Sequence, residues 1–236
     1  MFSPQPTPTP AHRRERRKDA RPGELMDAAL TLFVEKGFAA TRVEEVASLA
    51  GVSKGTLFLY FPSKVELFKA VVRENIAGRF GEWNAEFDTF DGSSVELVRY
   101  AMHQWWERIG ATRASGITKL VMSEAGQFPE IAEFYTHEVI EPGNALIRRI
   151  LQRGIDRGEF RPLDLDYAIF SVIAPMIFVV LWKHSLAPCC ALSSTGRTLD
   201  LKTFIDHQAD MLLQGLIRPA PTTPPLAAPS HPTAGR

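Results

Sequence analysis

From Leu25 onward the apolar residues of this chain recur at helical spacing, and sustained alternation between apolar and polar positions is missing. Leu25, Ala29, Leu32 and Phe33 fall at i, i+4, i+7 and i+8 on one helix face, and Gly37 after Lys36 supplies a left-handed stop. A second helix starts at Thr41, where Thr41 and Glu44 have the spacing of a capping box, and its inner face is Val43, Val46, Ala47 and Ala50. Gly51 ends it, Ser53 caps a short third helix, and Pro62 cuts that helix off. Ser63 and Glu66 form another capping box, opening a helix with Leu67, Phe68, Val71 and Val72 inward that runs to about Arg79.

After a glycine-containing stretch, Ser93 and Glu96 open a helix through Trp105 and Trp106, and residues 115–125 read as another. A long helix follows from Pro129, is interrupted at Pro142-Gly143, and resumes with Ile147, Ile150, Leu151 and Ile155 up to Gly158. Tyr167 to Trp182 is apolar for sixteen residues, short of the ~20 that a membrane-spanning helix requires. With Pro175 inside it and Asp164 and Asp166 at its start, it reads as a core or interface helix, and no membrane partner is expected. A last helix from Asp200 carries Leu201, Phe204, Ile205, Leu212 and Leu216. The fold class is therefore all-α.

Composition adds flanks to this picture. Residues 1–21 combine a Pro/Thr run with HRRERRKDAR, six positive charges and little apolar surface, and residues 218–236 hold six prolines; both are expected to be disordered. Between them lie a compact helical unit at 22–80 and a larger helical domain at 81–217. Net charge is zero, but residues 1–64 hold ten Lys/Arg against seven Asp/Glu, so the amino-terminal quarter is the basic end. The two cysteines, Cys189 and Cys190, are adjacent and read as reduced thiols; no signal-peptide pattern is apparent, and a cytoplasmic protein is expected.

The chemistry concentrates in Thr41–Phe61, which has the makings of a helix-turn-helix. Ala47 is small enough for close helix approach, Gly51 allows the positive φ of a tight turn, Val52 plugs the turn from below, and Ser53 caps the next helix. That helix presents Lys54, Gly55, Thr56, Phe58, Leu59 and Tyr60, while Leu57 and Phe61 point to the core. Gly55 permits close approach to a base edge or phosphate, Thr56 offers a hydroxyl and a methyl, and Lys54 and Tyr60 suit the phosphate backbone. Thr41, Arg42 and Lys64 are placed to clamp that backbone beside the groove, with Ser53 at the helix entry.

The segment ALTLFVEKGFAATRVEEVASLAGVSKGTLFLYFPSKVELF, Ala29 to Phe68, closely resembles the DNA-binding domain of the TetR/AcrR family of transcriptional regulators. Phe58 stands where that family often has tyrosine. The resemblance implies a homodimer on a palindromic double-stranded operator, with an all-helical carboxyl domain serving as dimer interface and ligand pocket. A sequence-specific reader joined to a larger apolar domain gives the expected function, a repressor released by a small hydrophobic effector; the alternative is a DNA-bound regulator whose helical core recognises a protein partner, and a more distant one is an activator.

Candidate pocket residues are His103, Trp106, Met122, Phe134, His137, Phe170 and Phe178, with Trp105 and Met176 as further bulky positions on core helices. The segment 165–186 and the helix at 200–217 are the expected dimer surface. No P-loop, dinucleotide glycine fingerprint or HExxH is present, so no enzyme, cofactor or metal is expected.

Overall fold

The structure, a computed structural model, describes residues 10–189 and 199–217, and side chains from residue 22. The carboxyl-terminal tail, Cys190 and residues 1–9 lie outside the described residues. Helices α1 (Pro10–Ala40), α2 (Val43–Leu49), α3 (Lys54–Tyr60) and α4 (Lys64–Val72) make the amino-terminal unit. A π-helical turn, Arg73–Ala77, leads into α5 (Arg79–Asp88) and α6 (Ser94–Trp105). The carboxyl domain continues with α7 (Ser115–Glu124), α8 (Pro129–Tyr135), α9 (Glu141–Asp156), α10 (Leu165–Leu181) and α11 (Leu201–Leu216). Among the described residues the β pairing is a single antiparallel bridge, Phe160 to Ile217.

Several boundaries differ from the sequence reading. Helix α1 begins at Pro10, so its backbone takes in the basic run expected to be disordered; Arg, Lys, Glu and Ala are good helix formers. The glycine-containing stretch, given no element in the sequence reading, holds α5, in which Trp83 and Phe87, one helical turn apart, both bury. The interruption at Pro142 is a π-helical turn, Thr136–Ile140, with Pro142 in the first turn of α9. Proline there supplies no N–H to the carbonyl four residues back, and the backbone widens in the preceding turn. A π-helical turn also prolongs α10, giving a continuous helix Leu165–Leu186 of 22 residues. Length therefore does not separate it from a membrane span, contrary to the sixteen-residue argument; Ile169, Val172, Val179 and Val180 are buried in this chain, while Tyr167, Phe170, Phe178, Leu181 and Leu186 are exposed.

The amino-terminal unit packs round Phe33, Phe38 and Phe68, whose ring centroids are 5.6–5.7 Å apart. Phe128 from the loop before α8 adds an edge-to-face contact to Phe38 at 4.9 Å. This ties the unit to α7 and α8, and ion pairs Lys69–Glu130 (3.1 Å) and Arg73–Glu138 (2.9 Å) border the same seam. Farther back, Lys183 donates to the carbonyls of Gly110, Ala111 and Thr112, each at 2.8 Å, closing the end of the α6 segment. Beside it His184 Nε2 lies 2.8 Å from the fully buried Ser115 hydroxyl. Burial, reinforced by Lys183 and Lys119, pushes the His184 pKa down to about 4.

Candidate DNA interface and ligand cavity

Helices α2 and α3 are joined through Ala50–Ser53. The amide of Ala50 donates to Val46 O (2.9 Å), Gly51 turns with φ 68°, and the Val52 amide donates to Ala47 O at 2.9 Å. Those bonds fold the chain back on buried Val46 and Ala47 before Ser53 starts α3, its Oγ accepting from the Thr56 amide at 3.0 Å. Leu57 and Phe61 are buried as expected, leaving Lys54, Gly55, Phe58 and Leu59 on the open side and Thr56 and Tyr60 half-buried at its edges. Leu59 is 84% exposed, an apolar side chain that packs on nothing in this chain.

Lys54, the positive charge at the tip, is ion-paired with Glu44 of α2, and its ammonium sits 5.7 Å from the Phe58 ring centroid. The hydrogen bond from Lys54 holds the Glu44 carboxyl below the usual range. Both side chains are more than half exposed, so the pair is readily exchanged for a phosphate partner. The Thr56 hydroxyl is 2.8 Å from Ser53 Oγ, which fixes its rotamer while leaving its methyl free.

Two residues expected to clamp phosphate are committed to the fold. Thr41 is 2% exposed, and its hydroxyl donates to Gly37 O (2.6 Å) and Leu32 O (3.2 Å). The cap of α2 is instead Arg42, whose amide donates to the Glu45 carboxylate at 3.3 Å, leaving the Arg42 side chain exposed. Lys64 Nζ donates to the carbonyls of Phe38 (2.7 Å), Thr41 (3.1 Å) and Ala39 (3.3 Å) and lies 4.4 Å from the Phe38 ring centroid. Burial lowers its pKa. The break at Gly37 created these carbonyls: with φ 86° and ψ 169° it lies in a region open to glycine alone, and the chain after it no longer points its carbonyls along α1.

The amides beyond that break are met from the other domain. Glu124, the last residue of α7, accepts from the Phe38 amide at 3.0 Å and from the Ala39 amide at 2.8 Å. A Cβ on residue 37 would run into the same carboxylate. Charge-assisted bonds of this kind are the strong ones, so α7 and the corner preceding α2 are held as one piece.

Behind α7 lies a cavity of about 690 Å³. Of the expected pocket residues Met122, Phe170 and Phe178 line it, together with Trp105 and Met176. The others do not. Trp106 is one residue off the face formed by Met102, Trp105 and Ile109. Phe134 is buried beneath Lys69 and Arg73, whose charged groups lie 5.7 and 4.9 Å from its ring. His137 is exposed beside Glu141, whose hydrogen bond raises its pKa. His103 sits on the other side of α6, 2.7 Å from Asp206 of α11. The sequence reading missed Trp83, Thr118 and Tyr135, which also line the void. The Thr118 and Tyr135 hydroxyls lie 2.8 Å apart, and burial pushes the Tyr135 pKa up to about 12. Helical periodicity marks such positions as inward without telling a packed face from a hollow one.

Among the described residues no three His, Cys, Asp or Glu side chains come together as a metal site, and Cys189 is an exposed free thiol.

Residues 25–71 match the family described as bacterial regulatory proteins, tetR family, and residues 92–188 match the tetracyclin repressor-like carboxyl-terminal domain. The chain is 30% identical over 152 residues to the HTH-type transcriptional repressor KstR2 of Mycolicibacterium smegmatis, covering 62% of this chain and 71% of that protein. The fold is shared with the transcriptional regulator FadR of Bacillus subtilis, solved with stearoyl-CoA, at a TM-score of 0.65 and 19% identity over 82% of this chain and 98% of that one. A regulator from Saccharomonospora viridis solved with choline gives a TM-score of 0.67 at 19% identity, over 86% and 100%. With its helix-turn-helix unit and its carboxyl domain both matched in order, this chain belongs to the TetR family of transcriptional regulators, a non-enzymatic family.

Proposed function

We propose that the chain is a cytoplasmic, homodimeric repressor that leaves its palindromic operator when a small hydrophobic molecule fills the cavity behind α7. The observation that carries this reading is the continuity between void and reader. Val121 and Met122 of α7 line the cavity, and Glu124, one half-turn on, holds the Phe38 and Ala39 amides. A ligand that shifts α7 drags the corner that positions α2 and α3. Relatives named as repressors, and fold neighbours solved with stearoyl-CoA and with choline, support the same reading. So does a void of several hundred Å³, which suits a small molecule better than a protein partner.

On the DNA side, Gly55, Thr56, Phe58 and Leu59 face the major groove, with Phe58 and Leu59 suited to thymine methyl groups. Ser53 at the helix entry, Arg42, Lys54 and Tyr60 meet the backbone. Thr41 and Lys64 hold the helix pair in position from behind. One such unit reads one half-site, and two half-sites ~34 Å apart require two copies. The second copy is placed on α10 and α11, where Tyr167, Leu186 and Met211 are exposed apolar side chains with no cover from this chain.

Operator affinity measured with and without a cavity-filling ligand tests the reading. The ligand weakens operator binding in the native protein; in Glu124→Gln it still binds, but the weakening shrinks severalfold, since coupling free energies of ~1–3 kcal/mol are at stake. Equal weakening in both proteins removes Glu124 from the route, and no weakening by any tightly bound ligand sinks the gating itself.

A further inference from the structure

The gating reading leaves the effector's chemistry open, and the inference drawn here rests on that reading while naming the class. None of the described residues lining the cavity is Asp, Glu, Lys, Arg or His. The cavity is open on one side, where Met122 and Phe170 of its lining are exposed, but an ion drawn past that mouth would lose its water and find no opposite charge, and an unpaired buried charge is among the most costly groups a protein can hold. Apart from Thr118, Tyr135 and the amide of Asn144, the walls are aliphatic and aromatic, Met102, Trp105 and Ile147 among them, and the buried indole N–H of Trp83 has no partner among the described residues.

They are not uniformly apolar. Thr118 on α7 and Tyr135 on α8 meet hydroxyl to hydroxyl at 2.8 Å. Two hydroxyls bring two protons, and their mutual bond uses one. Among the described residues no other protein acceptor is within reach of either oxygen, so one O–H remains unspent at the cavity wall. A phenol as buried as Tyr135 stays protonated throughout the accessible pH range, which keeps that donor in place. A buried donor without an acceptor is unfavourable, and the ligand is the available source of one.

We propose that the cavity takes an uncharged, largely apolar molecule carrying one acceptor oxygen, such as a ketone or ester carbonyl, and that the Thr118–Tyr135 hydroxyl pair binds that oxygen. The pair thereby sets specificity, rejecting both plain hydrocarbons and ionised lipids of equal length. It also places the ligand's polar end against α7, the helix that ends at Glu124.

The test uses the full-length protein and four eleven-carbon-chain probes: methyl nonyl ketone, undecane, undecanoate and undecylammonium. Binding is read by quenching of Trp83 and Trp105, independently of DNA. In the native protein the ketone binds tightest, at least about tenfold ahead of either ion. Tyr135→Phe and Thr118→Val each cost the ketone about three- to tenfold, the worth of a typical hydrogen bond, and leave undecane unchanged. Thermal unfolding of both near-isosteric variants checks that the fold is kept. Tighter binding by undecanoate or undecylammonium overturns the proposal, as does ketone binding equal to that of undecane and unmoved by both variants, or no saturable quenching by any probe. Operator release is scored separately. An ion that binds tighter and releases the operator sinks the ligand class and leaves the gating standing, whereas a ketone that binds as described without moving operator affinity does the reverse.

Discussion

Around Phe33, Phe38 and Phe68 three rings fill the space between α1 and α4 and are at most 2% exposed, whereas Trp83, Trp105 and Ile147 in the next domain face a void of about 690 Å³. The two regions use the same kinds of residue on the same kind of helix. In the first, each apolar side chain meets others across the unit, and the polar ends that remain are tied off by Lys64, Thr41 and Ser53. In the second, helices α5 to α10 surround a void that is open on one side and leave its centre unfilled. A reader must present α3 at a fixed angle to a rigid duplex, and dense packing resists deformation. On the proposed reading the carboxyl domain is a sensor, which needs room for a guest and helices that move when it arrives, so stability is withheld from its centre.

That contrast is broken or sharpened most directly by truncation. Leu67→Ala removes a fully buried side chain from the packed unit and costs about 2–5 kcal/mol. Ile173→Ala removes a partly buried wall of the void and costs less than about 1.5 kcal/mol, because the atoms lost had few partners on the cavity side. Urea unfolding of the two variants measures the difference. Equal losses would mean that the cavity is a packed core when the protein is free of ligand.

The reader was largely legible in the sequence, since Gly51, Ser53, Leu57, Phe61 and Pro62 each act locally, through a turn, a cap or a one-turn face. Thr41 misled because its spacing to Glu44 satisfies the capping rule, while the break at Gly37 brings carbonyls of α1 within reach of its hydroxyl. Lys64 misled for the same reason, its partners being 23 to 26 residues away. In the sensor, periodicity told which residues face inward and nothing about whether anything faces them. Trp105 and Trp106 are interchangeable by composition and differ by one helical step, and only one of them reaches the void. The Thr118–Tyr135 and Glu124–Phe38 contacts join separate helices and carry no local signature.

A smaller effect separates two lysines within the reader. Lys54, exposed and paired with Glu44, is free to exchange that partner for phosphate; Lys54→Ala lowers the slope of log affinity against log salt by about 0.9. Lys64 is occupied by three carbonyls, so Lys64→Met leaves that slope unchanged and lowers stability by about 1–3 kcal/mol through the lost charged hydrogen bonds. Fluorescence anisotropy with an operator duplex across a salt series gives both slopes. A shallower slope for Lys64→Met would return Lys64 to the phosphate contacts.

Acid distinguishes the two regions by the pH at which each begins to lose stability. His184 in the carboxyl domain has its pKa pushed from the ordinary 6.5 down to about 4 by burial, so between those values the unfolded chain binds a proton that the folded chain refuses. Stability from this site is complete above about pH 6.5 and falls as pH drops toward 4. In the reader, Glu44 and Glu45 have carboxyls lowered from 4.5 by Lys54 and Lys36, so their contribution is present above that value and fades only below it. The sensor therefore loosens first. His184 is partly exposed, and after discounting for solvent its share is about 1 kcal/mol. His184→Gln removes the titration, so the loss of melting temperature between pH 6.5 and pH 4.5 becomes smaller than in the native protein. An equal loss in both would mean that His184 reaches water freely and that its contact with Ser115 yields as soon as the ring takes up a proton.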